Sequence, residues 1–194
     1  SRISADLHDN IGAQLTFIVS SLNNLKYFDL TKEKLGVKVD QISAFTVETV
    51  SELRDTIWAM NKDSISVEDL QGRLAGLISK AREACTQIEF KLEIEKGLPQ
   101  DLQLGSLEGV NYFRIAQEAL NNALKHAGAT QIEIFVGKEV DDQIIISVKD
   151  NGSGISENKV LGNGLSNMRT RAERIGRELK VETQEGEGTL ISVV

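Results

Sequence analysis

Through the first sixty residues apolar side chains return at every third or fourth position, and no proline interrupts them. Ile3, Leu7, Ile11, Leu15, Ile18, Leu22 and Leu25 trace one stripe; Val39, Ile42, Phe45, Thr46, Val50, Leu53, Ile57 and Met60 trace a second. This spacing predicts two long amphipathic helices, with Asp29, Leu30 and Thr31 as turn and N-cap between them. Two such helices cannot close a core alone. An antiparallel hairpin still leaves a stripe facing water, and pairing with a second copy makes a four-helix bundle. The expectation is a homodimer through residues 1–62.

The other residues, 63–194, suffice for one further compact domain. Asn61 to Val67 reads as a polar linker, and Ser66 with Asp69 resembles a capping box for the next helix. That helix carries Leu70, Leu74, Leu77, Ile78, Ala81 and Cys85 on one face, which makes Cys85 a packed core thiol. Ile88, Phe90, Leu92 and Ile94 alternate as a half-buried strand. A helix from about Ser106 to Ala127 follows, then strands near Gln131–Val140 and Gln143–Lys149. A helix near Leu165–Ile175 and strands near Glu178–Thr183 and Thr189–Val194 complete the chain. Such an order predicts an α+β sandwich with helices on one face of a mixed sheet.

Charge and composition narrow the chemistry. With 22 Lys+Arg against 29 Asp+Glu, the formal charge is −7, the wrong sign for broad contact with nucleic acid or anionic lipid. One Cys excludes a disulfide framework or Cys-rich zinc site, and two His leave little for a His-based metal cage. The longest apolar runs, such as Ile144–Val148, fall far short of the ~20 residues that span a bilayer. A chain beginning at Ser1 reads as a piece of something longer, soluble and cytoplasmic, with no membrane contact of its own.

Three stretches carry the chemistry. In FRIAQEALNNALKHAG, an advance of about 100° per residue gathers Glu118, Asn121, Asn122, Lys125 and His126 on one face. Phe113, Ala116, Leu120, Ala123, Leu124 and Ala127 take the other. The polar face is either solvated surface or a seat for a cation and phosphates; two adjacent mid-helix Asn, poor helix formers, speak for the second. KDNGSGIS at Lys149–Ser156 follows an apolar strand. Asp150 there can accept from an exocyclic amine, while Gly152 and Gly154 let a flat base approach the backbone. Asn-Gly and Ser-Gly pairs also mark ordinary turns. Finally, Gly162 and Gly164 in GNGLSNM open a helix whose backbone N–H groups and dipole can face phosphates.

In this order Asn122, Asp150-x-Gly152-x-Gly154, Gly162-x-Gly164 and Gly188-Thr189 resemble the nucleotide-binding boxes of the GHKL ATPases. DLHDNIGAQLT resembles the phospho-acceptor box of the nitrate-sensor and thermosensor class of bacterial histidine kinases, and ELRDTIWAMN closes the second helix as in those kinases. The resemblance spans Ser1 to Val194. It implies a helical-hairpin dimerisation and phosphotransfer domain at 1–62 and a GHKL (Bergerat) ATP-binding sandwich with a mixed sheet at 63–194. It also implies phosphorylation of His8 by Mg2+-ATP and transfer to an aspartate of a response regulator. Asn122 would ligate Mg2+, Glu118 would assist that site or polarise a water, and Lys125 and His126 would lie near the phosphates. Asp150 would accept from the adenine amino group, with Gly152 and Gly154 shaping the base pocket and Thr189 supporting it through a water. Ile155 to Leu161 would be a short lid, hinged by Gly162 and Gly164 with Leu165 beyond. The longer sensor would be the part anchored at a membrane.

The residues around His8 agree with that role. His8 lies about 100° round from Leu7, at the edge of the stripe, with Gly12 one turn on leaving clearance. Asp9 can hydrogen-bond one ring nitrogen and leave the other as nucleophile. One position departs from the family. Where a Gln stands five residues after the His, this chain has Ala13, and Gln14 comes one residue late, about 100° round the helix. That departure leaves kinase chemistry intact and puts phosphatase activity in question. The rival expectations are an inactive dimeric signalling scaffold and a GHKL ATPase of another type.

Overall fold

The computed structural model describes residues 2–25, 31–60, 64–139, 143–155 and 164–194. The chain divides into two compact units, Ser1–Asp63 and Ser64–Val194. No helix among the described residues is long and apolar enough to cross a membrane.

The first unit is a pair of helices, α1 (Arg2–Leu25) and α2 (Lys32–Met60). Thr31 lies just before α2, its hydroxyl 3.5 Å from the Lys34 N–H. The helices pack on each other, and Phe17 meets Phe45 edge-on with ring centroids 4.9 Å apart. Ile18 is buried in this contact layer. In the single chain much of the apolar surface is left open: Leu15, Val19, Leu22, Val39, Val50 and Ile57 stand exposed, while Ile42, Phe45 and Leu53 are half-buried.

The second unit begins in the stretch expected to be linker. Ser64–Ser66 is instead a strand, β1, paired antiparallel with β3 (Gln103–Gly105). Ile65 is fully buried, against Gly109: a Cβ there would sit 2.8 Å from Ile65 Cδ1. Three residues are too few to show a strand period, which is why polarity alone suggested a linker. Residues 61–63 lie outside the described residues.

Helix α3 (Val67–Ala84) opens with the expected capping box: Asp69 N–H donates to Ser66 Oγ at 3.1 Å, and Ser66 N–H to Asp69 Oδ2 at 3.2 Å. Its buried face is Val67, Leu70, Leu74, Ile78 and Ala81. Cys85 is not part of it. It is the C-cap, half-buried, because the helix stops one residue before it.

The main sheet has the order β2-β4-β5-β7-β6, formed by Glu89–Ile94, Gln131–Lys138, Ile144–Asp150, Gly188–Val193 and Leu179–Gln184. The β2–β4 pair is parallel and the others antiparallel, so the sheet is mixed as expected. Alternation turns Ile132, Ile134, Val136, Ile144, Ile146, Val148, Ile191 and Val193 to the buried face. Tyr112, Ile115, Ala116, Ala119 and Leu120 of α4 (Ser106–Asn122) and Met168 and Ala172 of α5 (Gly164–Arg174) are buried with them.

At one end of this layer Tyr112 O–H donates to the Ile144 carbonyl at 2.7 Å. Arg177, just beyond α5, pairs with Glu108 of α4 at 3.1 Å and bonds Gln143 ahead of β5. Burial pushes the Tyr112 phenol above its ordinary value, against the pull of the Arg177 guanidinium.

Candidate functional site

The site begins where β5 runs out. With Ile144, Ile146 and Val148 facing inward, the same alternation turns Asp150 onto the buried face, where it is 7% exposed. Its cross-strand partner on β7 is Thr189, also 7% exposed. Asp150 Oδ1 accepts from Gly152 N–H at 2.9 Å, and no hydrogen bond to Oδ2 occurs among the described residues. A carboxylate held by one oxygen, with the other still open, is suited to an amine-bearing ligand.

Around Asp150 the backbone is packed too tightly for side chains. A Cβ on Gly152 would strike the carbonyl oxygen and methyl of Ala127, and one on Gly188, at φ 96°, would strike the Asp150 carbonyl. Gly154, at φ 73°, lies against the Gln184 carbonyl. These approaches are matched by hydrogen bonds: Ser153 N–H donates to Ala127 O at 2.8 Å and Gly186 N–H to Ser153 O at 2.9 Å.

The expected helix to Ala127 is α-helical only as far as Asn122; Ala123–Ala127 form a π-helical turn ended by Gly128 at φ 59°. The wider i→i+5 turn changes the direction of every side chain after Asn122, so a wheel drawn at α spacing misplaces Lys125 and His126. Both are exposed on this turn. The turn also brings the Ala127 carbonyl to the glycine loop, joining the polar helix to Asp150's surroundings.

Glu118 and Asn122 are half-buried on α4. The first residue of α5, Gly164, packs directly on them: a Cβ would strike Glu118 Oε1 and lie 3.3 Å from Asn122 Nδ2. Thus Glu118, Asn122 and Gly164 form one cluster, and Asp150, Gly152, Gly154 and Thr189 form another, joined through Ala127. Leu165 is half-buried on α5. Gly162, and the expected lid apart from Ile155, lie outside the described residues. His8 and Asp9 belong to α1 of the first unit. A cleft of about 330 Å3 between Glu95–Leu98 and Lys138–Glu139 contains none of these residues.

Sequence reasoning missed two supports. Asn151 Oδ1 accepts from the N–H groups of Thr130 and Gln131, both at 2.9 Å, and its Nδ2 donates to Thr130 Oγ1 at 2.9 Å. Thr183 Oγ1 accepts from Ile155 N–H at 2.8 Å and lies 3.1 Å from Thr189 Oγ1. Asn151's place inside the Asp-x-Gly loop was a usable signal; Thr183, on an exposed edge strand, offered none.

No cluster of three or more His, Cys, Asp and Glu able to hold a metal occurs among the described residues. A magnesium ion fits Asn122 as a single protein ligand, since Mg2+ keeps several waters and takes phosphate oxygens. A nucleotide fits the Asp150 cluster by the carboxylate oxygen that Gly152 leaves free to accept from an amine.

Comparison with known proteins agrees along the whole chain. Residues 109–194 match the family model described as histidine kinase-, DNA gyrase B-, and HSP90-like ATPase, and residues 1–65 match one described as histidine kinase. The nitrate/nitrite sensor protein NarX of Escherichia coli (strain K12) is 28% identical over 200 residues, covering 98% of this chain and 31% of NarX. The sensor histidine kinase LiaS of Bacillus subtilis (strain 168) is 28% identical over 196 residues, 99% of this chain and 52% of LiaS. The chain therefore spans about a third to a half of these relatives. Among solved structures, the Erythrobacter litoralis EL346 blue-light activated histidine kinase has a TM-score of 0.63 at 19% identity, covering 97% of this chain and 57% of that one. The Acinetobacter baumannii histidine kinase AdeS has a TM-score of 0.54 at 13% identity, with 96% and 95% covered, and shares the fold.

Proposed function

The chain belongs to the sensor histidine kinases of the nitrate-sensor class, and on that basis we propose that it phosphorylates itself on His8 from Mg2+-ATP and passes the phosphoryl group to an aspartate of a response regulator. The observation that carries this reading is the Asp150–Thr189 pair: two polar side chains, each 7% exposed, side by side across β5 and β7, with the Asp150 Oδ1 held by Gly152 N–H.

Each residue then has a defined task. Asp150 Oδ2 accepts from the adenine amino group while Oδ1 stays bound to Gly152 N–H. Thr189 supports the base beside it, directly or through a water. Asn122 would hold Mg2+, which would neutralise charge on the phosphates. Glu118 orients that end of the site, and Lys125 and His126 offer positive charge or donors to the phosphates. Gly162, Gly164 and Leu165 bring the start of α5 to the same side. The imidazole of His8 attacks the γ-phosphorus as the bond to the bridging oxygen of ADP breaks, and Asp9 holds the proton on the other ring nitrogen. The protein's contribution is positioning and charge stabilisation.

We assign residues 1–62 to dimerisation and phosphotransfer and residues 63–194 to nucleotide binding. Exposed Leu15, Val19, Leu22, Val50 and Ile57 support the dimer, because a soluble helical pair leaves such a stripe open only where a partner covers it. A chain that works in this way acts on the cytoplasmic side, where ATP is available.

The test is incubation with γ-labelled ATP and Mg2+, beside His8→Gln and Asn122→Ala. Acid-labile, alkali-stable label lost in both variants supports the assignment. Label surviving in His8→Gln means another acceptor. Failure to bind ATP means an inactive scaffold, and free phosphate without labelled protein means a GHKL ATPase of another type.

A further inference from the structure

The ladder between β4 and β5 ends with the pair Ile132 and Asp150. One residue on, Asn151 N–H still donates to the Gln131 carbonyl at 3.3 Å, but the chain then turns away from β4. The Asn151 side chain stays behind. Its Oδ1 accepts from the N–H groups of Thr130 and Gln131, both at 2.9 Å, and its Nδ2 donates to Thr130 Oγ1 at 2.9 Å. The carboxamide thus does for β4 what the carbonyl of a longer β5 would have done: it supplies the next acceptor along the strand.

That substitution fixes where the backbone leaves the sheet. Because the turn comes directly after Asp150, Gly152 N–H swings back onto Asp150 Oδ1 at 2.9 Å, a side chain bonding its own backbone two residues on. Ser153 N–H then reaches the Ala127 carbonyl at 2.8 Å. The Ser153 hydroxyl meets only the Gly154 carbonyl, at 3.4 Å. Among the described residues of the loop, Asn151 therefore has the one side chain that fastens it to the start of β4.

Asp150 has two oxygens, and which of them Gly152 takes decides which is left for a ligand. Resting on the nucleotide-binding reading above, we propose that Asn151 is a positioning residue for ATP. By ending the β4 ladder with its side chain it keeps Gly152 N–H on one Asp150 oxygen and the other oxygen aimed at the adenine amino group.

Asn151 is exposed, so Asn151→Ala removes the carboxamide without opening a cavity. Asn151→Asp keeps an acceptor for both N–H groups, and its second oxygen can take the Thr130 hydroxyl proton. The experiment measures amide hydrogen exchange at Gly152 in the full chain without nucleotide, with Ile146 as reference, and ATP affinity by titration. Ile146 lies in the middle of β5, paired on both sides, and reports general stability. In Asn151→Ala, Gly152 should exchange at least about tenfold faster relative to Ile146, and ATP affinity should fall about three- to tenfold. Asn151→Asp should restore both. Exchange at Gly152 that accelerates no more than at Ile146 marks a merely structural role and overturns the proposal. So does an unchanged ATP affinity in Asn151→Ala, or a loss that Asn151→Asp fails to restore. If the unaltered chain binds no ATP, the nucleotide-binding reading falls as well; if it binds ATP and Asn151→Ala is indifferent, only the role of Asn151 falls.

Discussion

Asp150→Asn separates recognition from folding more cleanly than any other substitution in the site. In the native side chain Oδ1 accepts from Gly152 N–H at 2.9 Å, and the 7% exposure leaves the carboxylate little room to turn. An asparagine must keep its carbonyl oxygen on that N–H, because the flipped amide would set donor against donor. Its NH2 group is therefore forced toward the ligand, where adenine also presents a donor. The loss is a hydrogen bond to a charged acceptor, about 1.5–3 kcal/mol, together with an unsatisfied donor, about 1 kcal/mol or more. The sum is about 2.5–4 kcal/mol, or a loss in ATP affinity of about 70-fold to 1000-fold. The bond to Gly152 persists, so the melting temperature should fall by no more than about 3 °C. Isothermal titration with ATP and thermal unfolding, run on the same preparations, test both halves. A loss of ATP affinity below about threefold would refute the assignment of Asp150 to the base. A large fall in melting temperature would refute the claim that its second oxygen serves a ligand instead of the fold.

Other substitutions probe the neighbouring contacts. Gly152→Ala places a methyl on the Ala127 backbone, which no side-chain rotation relieves. A destabilisation of about 1–3 kcal/mol and loss of ATP binding are expected together, read by thermal unfolding and titration. In Gly164→Ala the obstacle is the far end of the Glu118 side chain, which can move. Stability should hold, because only the end of a flexible side chain has to move, while displacement of Glu118 slows autophosphorylation about ten- to hundredfold. Tyr112 carries a pH dependence: burial raises its phenol above the ordinary 10.0, so above pH 10 the unfolded chain ionises while the folded chain keeps the proton. That share of stability is whole below pH 10 and drains as pH rises toward the folded value. Tyr112→Phe should be less stable at neutral pH by about 1–3 kcal/mol, since the Ile144 carbonyl loses its donor, yet fall less steeply above pH 10. Parallel denaturation curves for the two proteins across that range would refute the assignment.

What the sequence by itself determined is whatever rests on neighbours along the chain. The three- and four-residue spacing marked α1, α2 and α3, and Ser66 with Asp69 marked where α3 begins, because helix periodicity and capping act within one turn. The sequence also set Asp150 and its glycines directly after an apolar strand, but ended that strand at Lys149, one residue before Asp150, whose buried side the structure supplied. Tertiary structure alone decided what depends on which strands become neighbours. Ser64 bonds Gln103 across 39 residues, Asn151 bonds Thr130 across 21, and Ile155 bonds Thr183 across 28. No local pattern marks such partners, since each is an ordinary polar residue until the sheet order sets it beside its mate. The π-helical turn belongs with them. The Ala127 carbonyl meets Ser153 N–H only once the glycine loop has packed against it, so its register depends on tertiary contact as well as on the helix's own residues.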